Sequence, residues 1–494
     1  MCGIAGVYRQ EAPAVVDSML EKIAHRGPDG RGVRDVSVGT LGHTRLAIID
    51  VEGGRQPMGF EDTWIVFNGE IYNYRELAHQ HLQGVNLRTH SDTEVLVQLY
   101  RKFGPHAVEL LDGMFAFALL QGGELFMARD PLGIKPLYCG GKDGAFYFAS
   151  EIKSLSLVSD KVREFPAGHW FRSDEGWHSF YEIDGDGRAA IPEIQAIKAI
   201  RGTLADAVQK RLLSDVPVGI SLSGGLDSSI VALLADAGTE HLHSFAVGMQ
   251  GSEDLRAARE VAALLGTRHH ERIYTEEDML AALAEVIYHL ESFDPALVRS
   301  AIPNFLLAQM ASRYVKVILT GEGADEIYAG YDYLRAYENP RMLQKEMVDI
   351  TSALHNTNLQ RADRMAMAFG LEARVPFLDL KSVGLGLGLP PQWKTHRGKP
   401  AKFLLREAFR GDLPEHITSR PKQKFSKGAG SSDVIALKVE GEITQKDFEA
   451  ERARLLYEWN YRLPNKEALY YYRILSESFR DEWIFPTLGR SRSL

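Results

Sequence analysis

The stretch Ser223-Gly224-Gly225-Leu226-Asp227-Ser228-Ser229 decides how the larger part of this chain folds. It follows an apolar run at 216–222 and precedes another at 230–234. A β-branched run, two glycines and an apolar run of helical character predict a strand, a tight turn and the N-terminus of a helix. Such a turn gathers free backbone N–H groups, and its three serine hydroxyls add donors. The stretch therefore predicts a site for phosphate oxygens.

Asp227 lies among these donors, where a carboxylate would repel phosphate. A divalent cation held between them removes the conflict, and Mg²⁺ bound by carboxylate and phosphate oxygens is the usual arrangement. The loop is not a Walker A motif, because the GxxxxGK[ST] spacing and its lysine are absent. The alternative interpretation is a serine-rich strand-to-helix turn in which an aspartate caps the helix.

Length and composition describe an ordinary globular protein. The 494 residues predict two or three domains, and the chain is 45% hydrophobic and 25% charged. A net charge of −9 argues against general binding to nucleic acid or to an anionic membrane. The two cysteines, Cys2 and Cys139, exclude a disulfide framework, and neither a signal peptide nor a transmembrane run is visible. We expect a cytoplasmic protein.

Cys2 is a candidate nucleophile. If Met1 is removed, the thiol of Cys2 lies beside its own α-amine, so one residue supplies both nucleophile and base. The alternative is a cysteine buried in an N-terminal strand.

Polar groups end several apolar runs in the first hundred residues, at 25–29, 43–50, 67–73 and 91–94. The guanidinium of Arg45 suits an α-carboxylate, and the carboxylate of Asp92 suits an α-ammonium. The amide of Asn68 and the N–H of Gly69 suit a tetrahedral oxyanion. Asn-Gly alone is more often a hairpin turn. Together these groups predict a pocket for a free amino acid whose side-chain carbonyl is attacked by Cys2.

From about residue 192 the pattern alternates helix and strand, which predicts a doubly wound parallel sheet. Residues 243–248 read as the next strand and 255–265 as its helix. Ligands of such sheets bind outside the carboxyl ends of the strands. We therefore expect the ends at Leu222 and Val247 to form the adenine and ribose pocket.

A second loop, at 315–326, again places glycines and carboxylates after an apolar run. Asp325 is predicted to share Mg²⁺ with Asp227, and Glu322 to take a proton from attacking ammonia. The alternative is a carboxylate cluster stabilised by a helix dipole.

These motifs resemble those of the class II glutamine amidotransferases, and from Met1 to roughly Tyr472 the chain resembles the glutamine-hydrolysing asparagine synthetase family. The resemblance implies an α+β N-terminal nucleophile (Ntn) hydrolase domain, a four-layer αββα glutaminase, at 1–185. It implies an α/β parallel-sheet ATP-pyrophosphatase (adenine nucleotide alpha hydrolase-like) domain at 186–494. A polar, glycine-rich stretch at 184–188 reads as the linker.

The motifs and the resemblance together imply the membership of each site. The glutaminase site comprises Cys2, Arg45, Leu46, Ala47, Ile48, Ile49, Asn68, Gly69, Glu70 and Asp92. The ATP site comprises Ser221, Leu222, Ser223, Gly224, Gly225, Asp227, Ser228, Ser229, Val247, Thr320 and Gly321, with Asp227 and Asp325 on Mg²⁺. By resemblance alone, Lys422 meets the charge that develops on the phosphates and the tetrahedral intermediate.

The implied chemistry has two half-reactions. Cys2 releases ammonia from glutamine through a thioester, and ATP with Mg²⁺ activates a carboxylate as its adenylate, which ammonia then attacks. Since free ammonia is mostly protonated at neutral pH, a sheltered route between the domains would preserve it. The family also implies a homodimer.

The acceptor site departs from the family pattern at Asn358, where the family carries an aspartate that holds the α-ammonium of the substrate aspartate. A carboxylate–ammonium pair contributes roughly 1 to 4 kcal/mol, depending on the local dielectric, and a neutral amide recovers only part of that. Either another acid compensates, Glu326 or Glu372, or the acceptor is a different small carboxylic acid.

A third hypothesis is a degenerate homologue that binds or regulates without catalysis. It is disfavoured because the polar groups of both predicted sites survive, from Cys2 to Lys422.

Overall fold

The structure of the protein is a computed structural model, which describes residues 2–185, 191–239, 241–395, 398–420, 434–479 and 482–489. Two six-stranded antiparallel sheets lie face to face in its N-terminal part. The first has the order β10-β8-β9-β1-β3-β2 and the second the order β12-β11-β7-β6-β5-β4. The strands are β1 Gly3–Tyr8, β2 Gly30–Val36, β3 Gly39–Arg45, β4 Met58–Phe60, β5 Thr63–Ile71, β6 Gly113–Gln121, β7 Glu124–Arg129, β8 Tyr138–Lys142, β9 Ala145–Ala149, β10 Val162–Glu164, β11 His169–Arg172 and β12 Gly176–Ser179.

Helices cover the outer faces of both sheets. Helix α1 packs on β1 and β3, whereas α2 and α3 lie on the side of β5. The helices of this part are α1 Pro13–Lys22, α2 Tyr74–His81, α3 Asp92–Phe103 and α4 Ile152–Leu155, with 3₁₀ turns at Ala24–Arg26 and Gly104–Leu110. Apolar side chains such as Ile4, Val66 and Phe148 fill the space between the sheets. The predicted four-layer αββα order is confirmed.

The C-terminal part is built on a five-stranded parallel sheet with the order β15-β14-β13-β16-β17. Its strands are β13 Val218–Ser221, β14 His243–Gly248, β15 Arg268–Ile273, β16 Val317–Leu319 and β17 Glu372–Arg374. The chain leaves β13 towards β14 on one side and returns to β16 on the other, so the strand order reverses at β13. A crevice forms at the carboxyl end of a sheet where its order reverses. The loops after β13 and β16 therefore meet, as predicted.

Helices surround this sheet. They are α5 Glu193–Arg211, α6 Leu226–Asp236, α7 Glu253–Leu265, α8 Glu276–Leu290, α9 Pro295–Ala311, α10 Ala324–Ile327, α11 Pro340–Ser352, α12 Asn358–Met367, α13 Leu380–Gly388, α14 Pro391–Lys394, α15 Phe403–Ala408, α16 Glu415–Thr418, α17 Val434–Glu442, α18 Gln445–Trp459 and α19 Lys466–Ser478. The 3₁₀ turns are Asp332–Ala336, Ala353–Asn356, Pro376–Leu378 and Glu482–Thr487. Among the helices so described, none has both the length and the apolar character needed to cross a bilayer.

Buried ion pairs join the two parts. Arg26, beside the first sheet, contacts Asp363 of α12 at 2.8 Å, and both side chains are almost fully buried. At the rim, Lys316 lies 2.7 Å from Asp29. Because buried charges are tolerated only when paired, the Arg26–Asp363 pair is a specific contact between the two parts.

Candidate active sites

Cys2 lies directly before β1 and is buried. Its backbone N–H donates to Asn68 Oδ1 at 3.1 Å, and its thiol donates to the carbonyl of Leu46 at 3.9 Å. Burial raises the pKa of the Cys2 thiol, so a base must stand beside it for the thiolate to form. The Cys2 nitrogen becomes such a base if Met1 is removed. Met1 itself lies outside the described residues.

Asn68 and Gly69 lie within β5, opposite Ala116 and Phe115 of β6, and not in a hairpin turn. The side chain of Asn68 is fully buried, and its Nδ2 has no hydrogen-bond partner among the described residues. A Cβ at position 69 would lie 2.1 Å from the Met114 carbonyl, so only glycine fits there. The strand thus holds an unused amide donor close to the nucleophile.

Arg45, at the end of β3, donates to the carbonyls of Asp50 and Val51 at 2.6 Å each. Asp92 begins α3 and accepts the Ile71 N–H at 3.0 Å. Burial raises the pKa of Asp92 to about 6. Two charged groups of opposite sign are thereby held by backbone contacts, as an amino-acid pocket requires.

The other predicted members of this pocket form its wall. Burial, followed by the nearby carboxylate of Glu372, raises the pKa of Glu70. Leu46, Ala47 and Ile48 are buried and Ile49 is half-buried in the segment after β3. The Ala47 N–H donates to Asp29 Oδ2 at 2.8 Å, which ties this segment down.

The role of Arg26 was not predicted from the sequence. Its Nε donates to the carbonyl of Cys2 at 3.0 Å, and its guanidinium pairs with Glu151 at 2.7 Å and Asp363 at 2.8 Å. The sequence indicated only that Arg26 lies in the polar segment 25–29. Its two acidic partners could not be identified, because they lie 125 and 337 residues away in the chain.

A second cavity opens at the carboxyl ends of β13 and β16. Among the predicted ATP-site residues, its lining includes Ser221, Ser223, Gly225, Asp227, Ser228, Thr320 and Gly321, together with Glu322 and Asp325. Gly224 has φ +66°, and a Cβ there would lie 2.4 Å from the backbone carbon of Ala257. The Ser223 loop (residues 223–229) therefore needs glycine both for its left-handed conformation and for its close packing on α7.

Four predicted ATP-site residues do not line this cavity. Leu222, Ser229 and Val247 are buried, and Gly224 packs against α7.

Asp227 and Asp325 both contact the ammonium of Lys402, at 2.5 and 2.6 Å. The Oδ1 atom of Asp227 is buried and has no hydrogen-bond partner among the described residues. The described part of the chain holds no cluster of three or more His, Cys, Asp or Glu side chains suited to a metal. Two carboxylates suit Mg²⁺ that takes its remaining ligands from phosphate and water, so the donor set fits the predicted ion.

Glu326 follows Asp325 in α10 and is buried. Tyr331 donates its hydroxyl to Glu326 at 2.5 Å, and Asn358 Nδ2 donates to the same carboxylate at 3.3 Å. Burial, followed by the charge of Asp325, raises the pKa of Glu326 to about 7. The structure thus brings Glu326 and Asn358 together.

Glu322 pairs with Arg361, whose role the sequence did not reveal. Arg361 is anchored in turn by donating to the Ser300 hydroxyl at 3.0 Å. Glu322 lines the cavity, and so does Ala362, which follows Arg361 in α12. Helix α12 therefore forms one wall of the cavity.

Glu372 does not reach this cavity, contrary to the expectation that it compensates at the acceptor site. It belongs to β17, in which successive side chains point to opposite faces, and Ala373 is the residue that lines the cavity. Glu372 points the other way and pairs with Arg374, which also lies 3.6 Å from Glu70. Of the two predicted substitutes for an aspartate at 358, the structure places only Glu326 beside Asn358.

Lys422 lies outside the described residues. The last described residue before it, Arg420, lines the cavity and donates to the carbonyl of Ser223 at 3.3 Å and to Asp254 at 2.6 Å.

Comparisons with known proteins identify the family of each part of the chain. A glutamine amidotransferase domain family matches residues 1–177, and the asparagine synthase family matches 199–348 and 336–458. The chain is 39% identical to an asparagine synthetase [glutamine-hydrolyzing] of Sandersonia aurantiaca over 515 residues, covering 97% of this chain and 96% of the relative. It is also 39% identical to asparagine synthetase [glutamine-hydrolyzing] 3 of Arabidopsis thaliana, covering 97% and 87%.

Among solved structures, a glutamine phosphoribosylpyrophosphate amidotransferase from B. subtilis is 20% identical, with a TM-score of 0.34, covering 55% of this chain and 81% of that one. An NMN synthetase from Francisella tularensis is 16% identical, with a TM-score of 0.22, covering 47% and 99%. Both scores are low, and the fold is defined by the sheets described above.

Proposed function

The chain belongs to the glutamine-hydrolysing asparagine synthetase family, and we propose that it converts L-aspartate, L-glutamine, ATP and water to L-asparagine, L-glutamate, AMP and pyrophosphate. The observation that carries this proposal is the presence of two built sites in one chain. The Cys2 N–H donates to Asn68, whose Nδ2 has no hydrogen-bond partner among the described residues, and the Ser223 loop lies beside two carboxylates.

In the glutaminase half, Arg45 and Asp92 hold the α-carboxylate and α-ammonium of glutamine. The thiolate of Cys2 attacks the side-chain amide, and Asn68 Nδ2 with the Gly69 N–H stabilises the oxyanion. Ammonia leaves, and water releases glutamate from the thioester.

In the synthetase half, backbone N–H groups and hydroxyls of the Ser223 loop receive the phosphates of ATP. The carboxylates of Asp227 and Asp325 would hold Mg²⁺, which would supply positive charge to offset that of the phosphates. The β-carboxylate of aspartate attacks the α-phosphorus, and pyrophosphate leaves into the loop. Ammonia then attacks the β-aspartyl-adenylate, with Glu322 accepting its proton and Lys422 meeting the developing charge.

For the acceptor, we propose that Glu326 supplies the counter-charge to the α-ammonium of aspartate. It is the buried acid that contacts Asn358, at 3.3 Å. Asn358 then acts as a neutral partner that orients the Glu326 carboxylate.

The test measures acceptor-dependent pyrophosphate and AMP release with glutamine, ATP and Mg²⁺ across a panel of small carboxylic acids. We expect aspartate to give the highest kcat/KM. If another acid gave pyrophosphate and AMP release and aspartate gave none, the proposed chemistry would stand and the assignment of aspartate as the acceptor would be wrong.

A second variant separates the half-reactions. We expect Cys2→Ala to abolish glutamine-dependent synthesis, because it removes the nucleophile, and to retain synthesis with added ammonium salts. Cys139→Ala is the matched control, since Cys139 is buried in the core between the sheets. Equal loss with both nitrogen sources would contradict the two-site scheme.

We further propose a domain boundary at 185/186, a cytoplasmic location and a homodimer. The first is supported by the segment between β12, which ends at Ser179, and α5, which begins at Glu193. Limited proteolysis and analytical ultracentrifugation test the boundary and the dimer.

A further inference from the structure

The two strands that carry the nucleotide loops begin beside the glutamine pocket. β13 and β16 pair in parallel, so the loops after them meet at one end of the sheet and their first residues lie together at the other end. Asp215 comes just before β13, and Lys316 comes directly before β16. Both reach residues 46–50, which form a wall of the predicted glutamine pocket and are called the pocket segment from here on. Asp215 contacts this segment directly and Lys316 contacts it through Asp29.

Asp215 makes two hydrogen bonds to the pocket segment. Its backbone N–H donates to the carbonyl of Ile48 at 3.1 Å, and its carboxylate Oδ2 accepts the N–H of Asp50 at 2.7 Å. Hydrogen bonds are directional, so two bonds in opposite directions fix both the position and the orientation of this segment. A residue of the C-terminal part thereby holds a wall of the pocket in the N-terminal part.

Asp50 connects Asp215 to Arg45, the residue assigned to the α-carboxylate of glutamine. The carbonyl of Asp50 accepts from Arg45 Nη2 at 2.6 Å, while its N–H is held by Asp215. Asp50 has φ +48°, a left-handed conformation that is unfavourable for a residue with a side chain. Such a conformation persists only where the surrounding contacts hold it. The orientation of the Arg45 guanidinium therefore depends on the contact that Asp215 makes.

Lys316 supports the other end of the pocket segment. Its ammonium lies 2.7 Å from Asp29 Oδ2, and the same oxygen accepts the N–H of Ala47 at 2.8 Å. Both charged side chains are partly exposed, so their pair contributes little by itself. We therefore expect the contribution of Lys316 to be the smaller of the two.

Between these polar contacts the pocket segment packs into the core of the C-terminal part. Leu46 and Ile48 are buried in the same apolar cluster as Ile220 of β13 and Leu319 of β16. The segment is thus both packed on the two strands and hydrogen-bonded to the residue that precedes one of them.

We propose that Asp215 and Lys316 are positioning residues of the glutamine site, and that the C-terminal part of the chain completes the pocket for glutamine. This rests on the proposed function, because glutamine is the ligand to be held. Neither residue acts on glutamine directly, since each orients the pocket segment. Loss of either contact should therefore weaken glutamine binding and leave the reactivity of Cys2 unchanged.

The test compares the full-length wild type with Asp215→Ala, Asp215→Asn and Lys316→Met. Glutaminase kinetics give the kcat and the KM for glutamine. Two alkylating reagents then separate binding from the reactivity of Cys2. A diazoketone analogue of glutamine carries the α-amino and α-carboxyl groups that the pocket holds, whereas iodoacetamide carries neither.

We expect Asp215→Ala to raise the KM for glutamine about fivefold with little change in kcat, because a surface hydrogen bond to a charged acceptor is lost. Asp215→Asn should stay within about twofold of the wild type, since its amide oxygen accepts the same N–H. Alkylation of Asp215→Ala by the diazoketone should slow about fivefold and alkylation by iodoacetamide should not change. Lys316→Met should raise the KM about threefold.

Asp206→Ala is the matched control. Asp206 is an exposed acid on α5, earlier in the same part of the chain, and its replacement should change neither the KM nor the alkylation rates. Synthesis with added ammonium salts does not use the glutamine pocket and should be unchanged in every variant. Thermal unfolding reports whether each variant folds. If Asp215→Ala does not fold, Lys316→Met carries the same prediction with its smaller effect.

An unchanged KM for glutamine in Asp215→Ala would overturn the proposal. An equal rise in Asp215→Asn would also overturn it, because the charge and not the hydrogen bond would then be responsible. Equal loss of glutamine-dependent and ammonia-dependent synthesis would make the contact a structural one only. A wild type that hydrolyses no glutamine would instead overturn the proposed function itself, so the two failures are distinguishable.

Discussion

Glu326 is the residue on which acceptor binding is expected to depend. Replacing it with glutamine keeps its size and removes its charge, so the α-ammonium of aspartate loses a buried counter-ion. We expect Glu326→Gln to raise the KM for aspartate about tenfold or more, because such a pair contributes roughly 1 to 4 kcal/mol. The KM for glutamine in the uncoupled glutaminase assay should not change.

The control is Glu346→Gln. Glu346 accepts from the Tyr333 hydroxyl at 3.0 Å much as Glu326 accepts from Tyr331, but it is half-buried in α11, and Asn358 donates to Glu326. It should leave the aspartate KM unchanged. An equal rise in both variants would assign the effect to the packing of this tyrosine pair.

The pH dependence of aspartate binding follows from the same carboxyl. Burial and Asp325 raise the pKa of Glu326 to about 7, so its charged form predominates only above that pH. We therefore expect the KM for aspartate in the wild type to rise as the pH falls from 8 to 6. In Glu326→Gln this dependence should be absent, and a wild-type profile flat over that range would remove Glu326 from the site.

The Ser223 loop as an element depends on Gly224. A Cβ there would require an L side chain at φ +66° and would lie 2.4 Å from the backbone carbon of Ala257 and 2.5 Å from its Cβ. We expect Gly224→Ala to reduce ATP–pyrophosphate exchange at least about a hundredfold, because backbone atoms of α7 cannot move aside and the loop must. The glutaminase rate should stay near that of the wild type.

The variant Gly251→Ala separates the effect of backbone strain from that of a steric clash. Gly251 has φ +80°, but nothing lies within 4 Å of a Cβ at that position. The alanine variant therefore has the conformational free-energy cost of about 1 to 2 kcal/mol but no steric clash. Comparable loss of exchange in both variants would show that the close approach to α7 is unimportant.

Elements defined by local sequence were predictable. The strand, glycine turn and helix around 216–234 follow from periodicity, and β13, the Ser223 loop and α6 appear where they were predicted. Their meeting with the second loop followed from the general behaviour of parallel sheets.

The prediction that failed and the contacts that were missed depend on which face of a strand a residue lies on, or on partners far away in the chain. Glu372 was expected at the acceptor site, but successive side chains of β17 point to opposite faces of the sheet. Glu372 therefore lies on the face of Arg374, with which it pairs, and Ala373 lines the cavity. Lys402 belongs to no recognisable motif, and its partner Asp227 is 175 residues away. For Asn68-Gly69 the alternative of a hairpin turn does not hold, because the two residues pair with β6 within a strand.

At the scale of the whole molecule, helix α12 connects the two sites. Its first residue, Asn358, contacts Glu326, and Arg361 pairs with Glu322. Asp363 of the same helix pairs with Arg26, whose Nε holds the carbonyl of Cys2. The nucleophile of one site and the acceptor residues of the other are therefore positioned by one rigid element.

Asp363→Asn is expected to weaken this connection. Although burial alone would raise the pKa of Asp363, Arg26 and Lys135 hold it below its usual value, so the residue is charged and paired at neutral pH. Loss of that charge leaves Arg26 with Glu151 as its remaining acid within 4 Å among the described residues. We expect the ratio of glutamate to pyrophosphate formed to rise above that of the wild type, because ammonia is released while α12 is displaced.

Stability should fall as well, since removing one partner of a buried ion pair costs about 3 to 5 kcal/mol. Asp17→Asn is the control, because Asp17 pairs with Arg31 at the surface, where such a pair contributes about 0 to 1 kcal/mol. A lower melting temperature with an unchanged product ratio would make the Arg26–Asp363 pair a structural contact only. A raised ratio in Asp363→Asn and an unaltered one in Asp17→Asn would show that the pair coordinates the release of ammonia with its use.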